Sequence, residues 1–236
     1  MAVLSDILRR WVQPAVDGVL GQGMPSPADA LLEAWFRPDA PWTWCPWCGG
    51  RAHGDGSACG GAASTVHAPT VVRLAAHRGP VRRWVIDVKH SRWEAMGQLL
   101  GALLGEQLLR CGVVAAGCPG TWIVPVPMPW ARRASRGIDH AAVIAGSVAR
   151  ATGLPVVHAL RHLGGRAQVE AGDRRSRASS GSERFALRRP ARRCVAGHVV
   201  MVDDVRTTGA TLAECARVLQ RAHVARVDAA VVTVRE

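Results

Sequence analysis

The chain has 236 residues and a formal net charge of +12 at pH 7, and 48% of its residues are apolar. This length can bury an α/β core of about 150–200 residues and leave room for a small additional module. No run of about 18 apolar residues occurs, so the sequence predicts no membrane span.

The positive charge favours polyanionic partners, either nucleic acid or phosphorylated small molecules. Arginine supplies nearly all of it, and an arginine- and alanine-rich composition can also reflect genomic base composition. Asp6 lies in the first apolar stretch and Arg9 and Arg10 follow it, the reverse of the order in a signal peptide, so we predict a cytoplasmic protein. The seven cysteines are an odd number, which argues against a disulfide framework.

The first 37 residues have helical patterns. Apolar residues recur at helical spacing over residues 4–20, with a break or kink at Pro14, and residues 21–25 form a linker. Ser26, Pro27 and Asp29 then have the pattern of a helix N-terminus that leads into residues 30–36. We predict a small docking bundle here, with an amphipathic membrane-surface helix as the alternative.

Strands alternate with helices after residue 70. The pattern predicts strands over residues 71–76, 81–88, 121–126, 199–202 and 227–234, helices over 93–109, 139–152 and 212–222, and a polar loop over 164–182. This order indicates an α/β fold with a doubly wound, mostly parallel sheet, whose ligands bind at the carboxyl ends of the strands. We therefore expect three regions: a helical segment 1–37, a cysteine-containing knuckle 38–69 and an α/β domain 70–236.

The knuckle region contains Cys45-Pro-Trp-Cys48-Gly-Gly, a spacing that can place two thiolates on one metal ion. Zinc usually takes four ligands, and the second half of this motif offers only Cys59. The fourth ligand would be His53 or His67. The alternatives are a knuckle that folds without metal and a redox-active thiol pair, for which no redox-fold pattern surrounds the cysteines.

The segment 199–211 has the strongest functional pattern. Its apolar strand ends in the adjacent carboxylates Asp203 and Asp204, and the small-residue loop 207–211 then leads into a helix. Carboxylates can hold ribose hydroxyls or a metal, and such a loop can wrap a phosphate with backbone N–H groups, hydroxyls and the helix dipole. A nucleotide-hydrolysing P-loop protein would need a Gly-Lys-Ser/Thr loop, and the single lysine, Lys89, is followed by His90.

Residues 199–211 resemble the signature of the type I phosphoribosyltransferases, which bind phosphoribosyl pyrophosphate (PRPP). The chain more narrowly resembles the ComF family, a phosphoribosyltransferase-like group linked to DNA uptake in competent bacteria. The likeness covers most of residues 45–236 and extends to the knuckle, to residues 123–137 and to residues 166–187. The sequence departs from the family's Arg-Gly-Phe-Asn-Gln at 136–140, where it has Arg-Gly-Ile-Asp-His, and it has serines where an asparagine is typical near position 180.

The resemblance implies Mg²⁺-assisted transfer between PRPP and an acceptor, and a zinc site in the knuckle. The polar loop 164–182 would be a lid over the polyphosphate. The residues concerned are Asp203 and Asp204 for the ribose, Thr207, Thr208, Gly209, Ala210 and Thr211 for the 5′-phosphate, Arg132, Arg133 and Arg136 for the pyrophosphate, and Cys45, Cys48 and Cys59 for zinc.

Two questions stay open in the sequence. No segment identifies the acceptor, and no residue is assigned as a general base. A PRPP or nucleotide sensor without turnover, or a protein that binds single-stranded DNA or another nucleic acid, is the alternative on the same scaffold. Lys89 is expected to end a strand, where it either contacts phosphate or lies on the surface.

Overall fold

The computed structural model describes residues 26–53, 59, 69–90, 93–130, 137–164 and 184–236. The predicted helix over 4–20 and the linker 21–25 lie outside these residues, as does nearly all of the polar loop 164–182. In chain order the elements are α1 (Pro27–Glu33), β1 (Val71–Ala76), α2 (Gly79–His90), α3 (Glu94–Arg110), β2 (Thr121–Pro125), α4 (His140–Thr152), β3 (Leu160–His162), β4 (Phe185–Leu187), a 3₁₀ helix (Arg189–Cys194), β5 (His198–Arg206), α5 (Ala210–Arg221) and β6 (Arg226–Val234).

A four-stranded parallel sheet with the order β1-β6-β5-β2 forms the centre of the described structure. Helices cover both of its faces. On β5, Val200 and Val202 pack in the cluster that contains α2, α3 and α4, whereas Val199 and Met201 pack in the cluster that contains α5 and the antiparallel pair β3–β4. Because both faces are covered, the strand has the continuous apolar run typical of parallel sheets. The α/β fold with its parallel sheet is thus confirmed.

One predicted element is wrong. Residues 81–88 were expected to be a strand, but they lie in the helix α2. The buried side chains are Val81, Trp84, Val85 and Val88, a spacing of three and four residues that places them on one helical face. The β-branched and aromatic composition suggested a strand, but the period of burial is helical. Lys89 consequently lies in the last turn of α2 and not at the end of a strand.

β5 is longer than the predicted strand over 199–202. It pairs with β6 as far as Arg206, so the two aspartates lie in its second half and not in the following loop. Backbone hydrogen bonds to β6 extend the strand beyond its apolar run, and apolar patterning alone therefore placed its end too early.

The chain before β1 covers the outer edge of the sheet. The Asp39 N–H donates to Leu74 O at 2.9 Å, and the Trp44 indole N–H donates to Val71 O at 2.8 Å. Arg73 of β1, only 6% exposed, holds this segment with ion pairs to Asp39 at 2.8 Å and to Glu236 at 2.7 Å. These bonds satisfy polar groups that an uncovered edge strand would expose. The proposed division into segments 1–37, 38–69 and 70–236 stays a prediction.

The short helix α1 follows Ser26, as expected, with Pro27 in its first turn. The Ser26 side chain makes no capping hydrogen bond, so Pro27 rather than a side-chain cap marks the start. Leu31 is buried, and the ring of Phe36 meets the ring of Trp84 edge to face with centroids 5.2 Å apart. Within the described ranges, no helix combines the length and apolar content that crossing a membrane requires.

Candidate functional site

A cavity of about 460 Å³ opens at the carboxyl end of the parallel sheet. Residues that end or follow all four strands line it: His77 after β1, residues 126–129 after β2, Asp203 and Asp204 in β5, and Arg235 after β6. This is the place where open α/β sheets bind their ligands. The remaining wall comes from α2, from the start of α5 and from the pair β3–β4.

Asp203 and Asp204 form the floor of this cavity. The Asp204 N–H donates to Asp203 Oδ1 at 2.8 Å, and Asp204 Oδ1 lies 3.0 Å from Lys89 Nζ. Burial, reinforced by the neighbouring Asp204 charge, raises the pKa of Asp203 to about 8. The two carboxyl groups therefore differ: Asp204 is paired with Lys89, and the raised pKa of Asp203 favours its neutral form.

The loop 207–211 begins directly after β5. Gly209 has φ +80°, a backbone angle that favours glycine; a Cβ there would meet only the movable guanidinium of Arg206. The Ala210 N–H donates to Thr208 Oγ1 at 3.4 Å as α5 begins. Thr207 and Thr211 line the cavity beside the aspartates, and Thr208, Gly209 and Ala210 shape the turn. The N-terminus of α5 thus begins next to the cavity, and helix N-termini favour anions.

The three arginines of the predicted pyrophosphate loop, Arg132, Arg133 and Arg136, lie outside the described residues. The described chain before them, residues 127–129, lines the cavity. Their role stays a prediction.

The structure adds two cavity residues that the sequence interpretation missed, His77 and Arg235. His77 Nδ1 lies 2.8 Å from Thr233 Oγ1. Burial lowers the pKa of His77, and the charges of Arg235, Lys89 and Arg82 lower it further. Each of the two residues immediately follows a buried strand, and that position was the signal in the sequence that could have identified them.

The pair β3–β4 forms the wall opposite α2, with His162, Arg184 and Phe185 on the cavity. The rings of His162 and Phe185 meet edge to face with centroids 5.0 Å apart. Glu214 of α5 holds this wall: its Oε2 accepts from Arg184 Nε at 2.8 Å, and its Oε1 accepts from the Arg184 backbone N–H. Arg184 therefore links the cavity wall to α5.

Glu214→Gln is expected to destabilise the protein by about 1 kcal/mol, since charge-assisted hydrogen bonds are lost but Arg184 is half exposed and screened. The hydrogen bonds and charge of Arg184 lower the pKa of Glu214 despite its burial. Its contribution is therefore present above the unfolded-state pKa and disappears as the pH falls through the lower folded-state pKa. Urea titrations at pH 7 and pH 3 test this, with Asp87→Asn, which removes the exposed pair with Arg83, as a control expected to change little.

A second cluster lies in the knuckle. The ligand atoms of Cys45, Cys48, His53 and Cys59 all lie within 4.8 Å of one another, and Cys48 Sγ is 3.6 Å from His53 Nε2. The structure thus brings the three predicted cysteines together and selects His53 as their partner; His67 lies outside the described residues. Three thiolates and an imidazole can bind a metal such as zinc.

The backbone of the knuckle supports this arrangement. The Gly49 N–H donates to Cys45 O at 2.7 Å, and the Gly50 N–H points to Cys48 Sγ at 3.4 Å. Burial, together with hydrogen bonds to the neighbouring cysteines, raises the pKa of the Cys48 thiol to about 11. A divalent cation would reverse this preference, because it stabilises the thiolate directly.

Neither the protein-family models nor the curated proteins contain a match to this chain. Functional assignment therefore depends on the chemistry of the cavity and of the knuckle.

Proposed function

We propose that this protein binds PRPP in the cavity at the carboxyl end of its sheet and belongs to the phosphoribosyltransferase-like proteins of the ComF type. One observation carries the proposal: Asp203 and Asp204 line the same cavity as Thr207 and Thr211. Two carboxyl groups beside a helix N-terminus match the two chemical parts of ribose 5-phosphate, its hydroxyls and its phosphate.

Asp203 and Asp204 would bind the ribose 2′- and 3′-hydroxyls. Asp204, which is paired with Lys89, can accept hydrogen bonds from them. Asp203, with its raised pKa, can donate a hydrogen bond in the free protein and becomes an acceptor when it loses its proton. Negative charge at this place would also favour the positive charge that develops on the ribose ring during transfer.

The 5′-phosphate would lie against the start of α5. The N–H groups of the first turn and the hydroxyls of Thr207 and Thr211 supply donors, and the helix dipole favours the negative charge. By resemblance, Arg132, Arg133 and Arg136 would then face the pyrophosphate, whose oxygens guanidinium groups match bidentately.

Mg²⁺ is part of the proposal as a companion of the diphosphate, where it would neutralise the leaving group. Asp204 is already paired with Lys89, which makes this carboxylate less available to a metal ion. The protein would therefore position the ribose and its phosphate, and the ion would enter with the ligand.

Whether the bound PRPP reacts with an acceptor separates an enzyme from a sensor.

A nucleic-acid partner is the second candidate, because Trp35 and Trp130 are 82% and 80% exposed on a chain of net charge +12. Exposed aromatic rings and arginines are the groups on which single-stranded nucleic acid stacks.

Calorimetric titration of PRPP with Mg²⁺ tests the proposal. The wild type is expected to bind, and the double variant Asp203→Asn, Asp204→Asn is expected to lose at least about 100-fold in affinity, or about 2.7 kcal/mol. Absence of binding to the wild type would exclude the proposed ligand. Pyrophosphate release with a panel of nucleobases would identify an enzyme, and binding without release would favour the sensor. DNA binding that weakens with salt and persists in the double variant would favour the nucleic-acid protein.

A further inference from the structure

Among the nitrogen-bearing side chains that line the cavity, three are given no direct contact with the ligand in the function proposed above: His77, Lys89 and Arg235. All three lie on the same side of β5, at the carboxyl end of the sheet. His77 follows β1, Arg235 follows β6, and Lys89 belongs to α2, which packs on the sheet face opposite α5. The loop 207–211 and α5 therefore lie on the other side of the aspartates.

The three side chains are close to one another. All three line the same cavity, and burial and the positive charges of Arg235 and Lys89 lower the pKa of His77. Lys89 is 3.0 Å from Asp204 Oδ1, and His77 is held by Thr233 at 2.8 Å. The cluster thus borders directly on the carboxylates that would hold the ribose.

The carboxylates of the cavity do not balance this positive charge. Among the described lining residues only Asp203 and Asp204 are acidic; Asp204 is paired with Lys89, and the raised pKa of Asp203 favours its neutral form. Arg184 is paired with Glu214, and the ion pairs of the described residues leave the Arg235 guanidinium without a carboxylate. Cations placed together in a partly enclosed cavity attract an anion.

We propose that His77, Lys89 and Arg235 form an oxyanion subsite that receives a carboxylate or phosphate group of the acceptor. The inference rests on the proposed function, which places the ribose over β5. The sheet order β1-β6-β5-β2 then assigns the two sides. The predicted pyrophosphate loop follows β2, which is the neighbour of β5 on one side. The oxyanion subsite lies at the ends of β6 and β1, on the other side of β5.

This arrangement favours an acidic acceptor. Arg235 can bind an oxyanion with two parallel N–H donors. Lys89, beside the carboxylate that would hold the ribose, adds a second positive charge between the oxyanion and the ribose hydroxyls. A neutral nucleobase would leave the Arg235 guanidinium desolvated without a carboxylate or phosphate partner, which costs free energy. The cavity therefore selects for acceptors with a carboxylate or phosphate.

Inorganic phosphate is the probe for this subsite. It is titrated into protein saturated with ribose 5-phosphate, so that the site at α5 is already filled. We expect the wild type to bind phosphate, and Arg235→Ala to weaken that binding at least about tenfold, equivalent to about 1.4 kcal/mol, while ribose 5-phosphate affinity stays within about twofold. Lys89→Met is expected to weaken phosphate binding similarly. Arg83→Ala, which removes an exposed arginine of α2 outside the cavity, is the matched control and should change neither affinity.

A second titration replaces ribose 5-phosphate with PRPP and Mg²⁺. If phosphate still binds in the presence of PRPP, the diphosphate of PRPP does not occupy the oxyanion subsite, and this result supports an acceptor subsite. Phosphate that is excluded overturns the assignment to the acceptor, and so does equal phosphate affinity in Arg235→Ala, Lys89→Met and Arg83→Ala. If ribose 5-phosphate and PRPP fail to bind the wild type, the proposed function fails. Phosphate titrations of the ligand-free variants then still decide whether the cations bind an oxyanion.

Discussion

Removing zinc from the purified protein is expected to lower its Tm by about 10 °C. A ligand present at 1,000 times its Kd stabilises the folded state by about 4 kcal/mol, and each kcal/mol shifts the Tm of a chain of this size by roughly 2–4 °C. The four side chains of the knuckle lie within 4.8 Å of one another in the folded protein, whereas the unfolded chain holds no such site. The free energy of metal binding is therefore largely free energy of folding.

The effect should spread beyond the knuckle because its backbone contacts the sheet. Gly49 O accepts from Arg73 Nη1 at 2.8 Å, and the Val71 N–H donates to Pro46 O at 2.7 Å. Without the metal, the cysteines remain as neighbouring thiols or as thiolates that repel one another. The segment that covers β1 is then held less firmly. The hydrogen bond from Arg73 to Gly49 O is then weakened, although the ion pairs of Arg73 with Asp39 and Glu236 lie outside the knuckle.

Zinc content and thermal unfolding with and without a chelator are the measurements. Cys48→Ser should lower the Tm in buffer and abolish the response to the chelator. Cys118→Ser removes a cysteine outside the cluster and should behave as the wild type. Fewer than about half an equivalent of zinc in the purified wild type, or an equal chelator response in Cys48→Ser, would contradict the zinc site.

The parts of the fold that could be predicted are those in which local patterning and tertiary burial agree. β5 has an uninterrupted apolar run because helices cover both of its faces. The helix α2 differs from the predicted strand because its β-branched and aromatic residues also suit a strand. Its helical burial pattern is nevertheless present in the sequence, in the spacing of Val81, Trp84, Val85 and Val88. The period of burial is the more reliable signal, since it follows directly from backbone geometry.

The candidate site was predictable only where its residues are neighbours in the sequence. Asp203, Asp204 and the loop 207–211 form one segment, and the knuckle cysteines have a recognisable spacing. His77 and Arg235 meet Lys89 only because β1 and β6 are adjacent in the sheet. The choice of His53 likewise depends on the path of the chain around the knuckle. Such contacts require the strand order, which sequence patterning does not specify.

Asp203→Asn is expected to raise the free energy of unfolding at pH 8 by several kcal/mol, and the Tm with it. Burial and the Asp204 charge raise the pKa of Asp203 from 3.8 to about 8, so the folded protein holds a proton that the unfolded chain releases. Between these two pH values the unfolded state binds fewer protons, and stability therefore falls as the pH rises. Asparagine is neutral in both states and removes this dependence.

The measurement is chemical unfolding of wild type and Asp203→Asn at pH values from 4 to 9. The free-energy difference between them should be small at pH 4 and should grow toward pH 8, and a constant difference would contradict the raised pKa. Asp204→Asn is the informative control: without the neighbouring charge, the pKa of Asp203 should fall and the loss of stability should move to lower pH. Because the same carboxyl group is costly to bury and would bind the ribose, Asp203→Asn should gain stability and lose PRPP affinity together.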